Sequence, residues 1–202
     1  MKKGERRKQE LLGIAYRLFL SRGYENTSVD DIIEEAGIAK GTYYYYFESK
    51  EQTLEEVIDM MLDREEENAK KVVGSDIPIE QKLVGVIASF RPDPSEAPIK
   101  DALHEASNLI MHEKIKSRLL DRIVPLLTAV GEQGVREGRF SCTNIPERVR
   151  EIVILSNELF ETGVYTDTDI RVFIDTVERI LYAKPGSMDF ISQLLQQAPQ
   201  NT

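Results

Sequence analysis

The residues best suited to chemistry in this chain lie between Lys40 and Tyr46, where one lysine, one glycine and one threonine precede four consecutive tyrosines. An ammonium group and phenolic hydroxyls donate to phosphate oxygens, and a phenol ring also lies against sugar or a thymine methyl. Four tyrosines span more than one helical turn, so at least two point away from any core. Tyr44 and Lys40 read as facing a duplex. Tyr43 and Tyr46 fit either a packed position with the hydroxyl at the rim or a contact with DNA, and Phe47 reads as packed. Gly41 keeps one side of the segment free of bulk, and Thr42 adds a short hydroxyl donor.

Two flanking elements must hold this segment. Upstream, Ser28 reads as an N-cap, with Asp31 three residues on as its reciprocal partner. Val29, Ile32, Ile33 and Ala36 then repeat at i, i+3, i+4 and i+7, which puts them on one helical face, and Asp30, Glu34 and Glu35 on the other. Gly37 ends that helix in a left-handed conformation, and Ile38 folds back as the accompanying apolar contact. A second short helix begins near Ala39 and runs from Lys40 to Tyr46. Downstream, Ser49 caps a helix opening at Lys50, where a helix N-terminus beside a lysine forms an anion site. The pattern is a helix-turn-helix.

From Leu11 to Val57 the chain resembles the DNA-binding domain of the TetR family of transcriptional regulators. The residues that carry the resemblance are Ala15, Phe19, Gly23 and Tyr24; then Thr27, Ser28, Ile32, Ala36 and Gly37; then Lys40 through Phe47; and last Ser49, Lys50, Glu51 and Leu54. Ala39 stands where the family often has a serine cap, and Tyr43 where a leucine is common. The resemblance implies DNA contacts from Thr27, Lys40, Thr42, Tyr44, Tyr45 and Lys50; the reading of the residues themselves adds Gly41 and Tyr43. It also implies an all-α fold: an N-terminal three-helix domain over 1–50, and a larger helical effector-binding and dimerisation domain over 51–202.

The chain of 202 residues carries a net charge of −9, which looks wrong for a partner of DNA until it is divided. Residues 1–50 hold 9 Lys+Arg against 8 Asp+Glu, net +1, and residues 51–202 hold 17 against 27, net −10. The acidity belongs to the body. Lys2, Lys3, Arg6, Arg7 and Lys8 form a basic N-terminal cluster opposed only by Glu5, placed to follow phosphates or to fray in solvent. A single cysteine, Cys142, excludes an internal disulfide, and neither an apolar run of membrane length nor a secretory leader is present, so a cytoplasmic location is expected.

The body reads as helical. Leu54, Val57, Ile58, Met61 and Leu62 form a stripe that stops at the charged run Arg64–Glu67, predicting a helix that continues as a solvated rod and breaks over 74–78. Further helices are expected over 79–90, 98–112 and 115–137, the last bent near Pro125. Two apolar faces, Val149–Gly163 and Ile170–Leu181, exceed what one neighbour covers and predict a homodimer through helices near 146–163 and 168–183. Phe90, His104, Asn108, Met111 and Phe160 offer aromatic, thioether and polar groups for a small organic effector. His104, Asn108 and His112, with Asp101, share a face on which a metal could sit, but two histidines in a helical chain more often serve other ends, and no metal or cofactor is expected. No glycine-rich phosphate loop and no nucleophile with a recognisable partner point to an enzyme. The expectation is a ligand-responsive repressor on a palindromic operator. Its rival is a helical protein-interaction adaptor that has lost sequence-specific DNA binding.

Overall fold

The structure, a computed structural model, describes residues 3–91, 94–96, 98–99, 109–160 and 164–196, and all regular structure among them is helical. In chain order the helices are α1 (Lys3–Arg22), α2 (Val29–Ala36), α3 (Lys40–Tyr46), α4 (Lys50–Val73), α5 (Ile79–Ser89), α6 (Leu109–Arg136), α7 (Ile145–Phe160), α8 (Asp167–Leu181) and α9 (Phe190–Gln196), with a 3₁₀ turn at Pro94–Glu96 before α6. The chain divides into two compact units, 1–65 with 91–119 and 66–90 with 120–202. Two of the boundaries fall within α4 and within α6, and the third just after α5.

In the first unit α1 buries Leu11, Leu12, Ala15, Leu18 and Phe19, and packs on α2, whose Ile32 is fully buried. Tyr43 and Phe47 from α3 and its exit, and Leu54 and Val57 from α4, are buried as well. Each such side chain contributes about 1.5–3 kcal/mol through the apolar area it withdraws from water. The buried stripe of α4 runs further than its sequence indicates. Glu65 is buried within the charged run and Ala69 one turn on is fully buried, so one stripe of the expected solvated rod is covered while Arg64, Glu67 and Asn68 are exposed.

In the second unit α8 opens with a reciprocal cap between Thr166 and Asp169 and buries Ile170, Phe173, Ile174, Val177 and Leu181. Five of the six apolar residues on the expected face are therefore buried inside one chain and Ile180 is half-buried, so little of it is left for a partner. Apolar surface does remain on Ile154 and Leu159 of α7 and Val172 of α8, while Gly163 lies outside the described residues. Close approach fixes the path after α6. An added Cβ on Gly134 would stand 2.3 Å from a ring carbon of buried Phe140, whose backbone N–H donates to the Gly134 carbonyl at 3.2 Å. The helix expected from 115 begins at Leu109 and keeps Pro125 inside it; the one expected over 98–112 falls largely outside the described residues.

Candidate nucleic-acid interface

The short helices acquire their positions from bonds at their ends. Ser28 Oγ accepts from the Asp31 amide at 3.1 Å, and an Asp31 carboxylate oxygen accepts from the Ser28 amide at 2.7 Å. The Ser28 hydroxyl and amide, both donating to the carboxylate, with Arg22 nearby, hold the Asp31 carboxyl below the usual carboxylate range. Gly37, at φ +59°, lets its own amide return to Glu34 and that of Ile38 to Ile33. An Arg7 guanidinium N–H donates to the Ala36 carbonyl at 3.4 Å, so the basic end of α1 touches the C-terminus of α2. Ala39 is extended and offers no side-chain cap.

A buried polar contact then fixes α3 against α4. Tyr43 has no exposed surface; its hydroxyl lies 2.6 Å from Thr53 Oγ1, which donates to the Ser49 carbonyl at 3.0 Å. Burial pushes the Tyr43 phenol above its ordinary value, so it stays neutral. With Tyr43 turned inward, Tyr44 and Tyr45 turn outward, 48% and 80% exposed. Lys40 and Gly41 are also exposed, Thr42 is half-buried, and a Cβ on Gly41 would meet nothing within 4 Å.

Two of the predicted contacts need correction. Thr27 is fully buried and its hydroxyl donates to the Gly23 carbonyl at 2.8 Å, and Tyr43 is the anchor just described; neither side chain presents surface to a duplex. Lys50 is half-buried, donates to the Tyr24 carbonyl at 3.0 Å and lies 4.1 Å from the Tyr24 ring centroid. Ser49 does cap α4, accepting from the Gln52 amide at 3.1 Å. Lys40 pairs with Asp30 at 3.1 Å, and that bond holds the ammonium above its usual value. Sequence reasoning missed Thr53 and the Arg7–Ala36 bond, because each partner lies on a different helix.

The effector candidates are placed differently. In the second unit an apolar cavity of about 70 Å³ is lined by Leu83, Ile87, Leu127, Phe140, Val177 and Ile191 among others, but by neither Phe90 nor Phe160. Phe90 is buried in its unit, and Phe160 stacks edge-on against Tyr165 and Phe173. Neither side chain therefore lines this cavity. His104 and Asn108, the side chains of Met111 and His112, and Asp101 of the considered metal set lie outside the described residues. No cluster able to hold a metal occurs among the described residues, and no helix there is long and apolar enough to cross a membrane.

Residues 11–57 match the sequence model of the family described as bacterial regulatory proteins, tetR family. The HTH-type transcriptional repressor KstR2 of Rhodococcus jostii (strain RHA1) is 31% identical over 138 residues, covering 66% of this chain and 68% of the relative. The chain belongs to the TetR family. Among TetR-family relatives, KstR2 of Mycolicibacterium smegmatis is 47% identical over 57 residues, 28% of each chain. A solved transcriptional regulator from Cytophaga hutchinsonii shares the fold with a TM-score of 0.61 at 16% identity, over 93% of this chain and 96% of that one. As a TetR-family member this is a helix-turn-helix, DNA-binding transcriptional regulator.

Proposed function

We infer that this regulator is a repressor that binds a roughly palindromic operator as a homodimer and is released by a small-molecule effector. The observation that carries the DNA reading is the outward pair Tyr44 and Tyr45 on a helix anchored from beneath by Tyr43. Lys40, Gly41, Thr42, Tyr44 and Tyr45 form the reading surface, and Lys50 serves phosphate by leaving the Tyr24 carbonyl. The head is assigned to 1–50 and the effector and dimer functions to 51–202. One short recognition helix reads few bases, so two heads are needed, and exposed Ile154, Leu159 and Val172 support a second copy on that face. The apolar cavity supports an effector with a hydrocarbon part, coupled to DNA by about 1–3 kcal/mol in each direction.

Selection of bound fragments from genomic DNA by the purified protein tests the reading. A repressor enriches a near-palindrome, and a variant carrying Lys40→Ala and Tyr44→Ala loses it; an adaptor enriches nothing. On the enriched site Lys50→Ala is expected to weaken binding across sequences and to lower the salt slope by about 1, the signature of one phosphate contact. An unchanged slope removes Lys50 from the interface.

A further inference from the structure

Glu96 sits in the Pro94–Glu96 turn, 39 residues beyond the last position of the family match, yet it is 2% exposed within the compact unit that contains the head. Two helices reach one of its oxygens. The Tyr16 hydroxyl of α1 donates to Glu96 Oε1 at 2.7 Å, and an Arg64 guanidinium N–H of α4 donates to the same atom at 2.8 Å. Beside it Glu65 is buried, and burial first, then the charge of Glu96, push its carboxyl up to about 7. A carboxylate this deep is tolerated only because charged or polar donors compensate it, and apolar side chains of similar volume would join the helices at least as firmly. What an apolar contact lacks is a fixed direction.

We propose that Glu96 is a positioning residue for sequence-specific DNA binding: it ties α1 to α4 in one register, and through them sets the recognition helix. Both helices carry their DNA-side attachments well away from the tie. On α1, Arg7 meets the end of α2 nine residues before Tyr16, about 14 Å along the axis. On α4, Thr53 holds Tyr43 eleven residues before Arg64, about 16 Å along the axis. A small change in angle at the tie therefore becomes a displacement at α3. Non-specific binding, which needs only charge near phosphates, tolerates that displacement; base reading does not.

The inference rests on the DNA-binding role of the head, and a double-mutant cycle on the full chain tests it. Tyr16→Phe, Glu96→Gln and the double variant are measured on the fragment that wild type selects and on unrelated DNA at the same salt. Each single substitution is expected to weaken selected-site binding by about tenfold, the loss of a charge-assisted hydrogen bond, with the double no worse than either single. Binding to unrelated DNA stays within about twofold, since no exposed charge changes. Wild-type affinity in the variants, additive losses, or an equal fall on both DNAs overturns the proposal. Should wild type select no fragment, the repressor reading fails, and amide hydrogen exchange decides this one. Glu96→Gln must raise exchange in α1 and α3 at an unchanged unfolding midpoint; unchanged exchange, or a fall in the midpoint alone, overturns it.

Discussion

Glu65 shows how much burial, with a like charge beside it, changes a residue. Its carboxyl, pushed up to about 7 from an ordinary 4.5, keeps in the folded state a proton that the unfolded chain has released. The stabilisation this gives is complete below about 4.5 and is lost as pH rises through about 7. Glu65→Gln is therefore expected to unfold like wild type at pH 4 but to be more stable at pH 8 by about 1–2 kcal/mol, discounted for residual exposure. Thermal unfolding across that range reads the difference. Gly41 gives the opposite lesson. Nothing lies within 4 Å of an added Cβ, and glycine inside a helix costs about 0.5–1 kcal/mol relative to alanine, so the fold has no use for it. Gly41→Ala should raise the unfolding midpoint while weakening operator binding; a gain in both would place Gly41 outside the interface. Sequence read Tyr44 as facing outward but left Tyr43 open between core and interface, since identical side chains give periodicity nothing to sort. The choice is made by Thr53, on another helix. The raised Glu65 carboxyl was equally illegible, for burial by long-range packing comes first and the charge of Glu96, 31 residues away, adds to it.

At the scale of elements, whatever depended on neighbours within a turn was readable. The Ser28–Asp31 cap, the Gly37 stop and the uncapped start at Ala39 all follow from what a residue's side chain, or the lack of one, allows its own backbone, and the structure has each of them. The extent of α4 was readable for the same reason, and its burial beyond Leu62 was not, because that depends on long-range packing. The path out of α6 belongs to this second kind. Gly134 is needed where the Phe140 ring returns against the helix, and Gly134→Ala should cost about 1–3 kcal/mol by overpacking, seen as a lowered denaturation midpoint with helical content retained. Of the candidate sites, the Lys40–Tyr46 helix stands out in the sequence because its composition is unusual. The effector candidates carry no such mark, because an apolar cavity and an apolar core are built from the same side chains.

Across the whole molecule, the excess negative charge lies outside the first 50 residues, so that DNA meets a nearly neutral head whose Lys40 and Lys50 are held by Asp30 and by the Tyr24 carbonyl. Assembly is where the largest single effect is expected. Ile154→Asp with Val172→Asp places charge on the exposed apolar face, and should halve the mass seen by sedimentation and abolish operator binding; a retained dimer would move the interface elsewhere. The division of the chain carries one more consequence. Because the first unit takes in 91–119 as well as 1–65, its last part leaves the ribosome about 50 residues after its first, a delay of about 3–10 s at roughly 5–20 residues per second. The recognition helix is thus synthesised well before the carboxylate that orients it. A chain stalled or cleaved between 66 and 91 would carry every DNA-facing residue named here and still lack Glu96, so the order of translation itself delays the onset of operator reading.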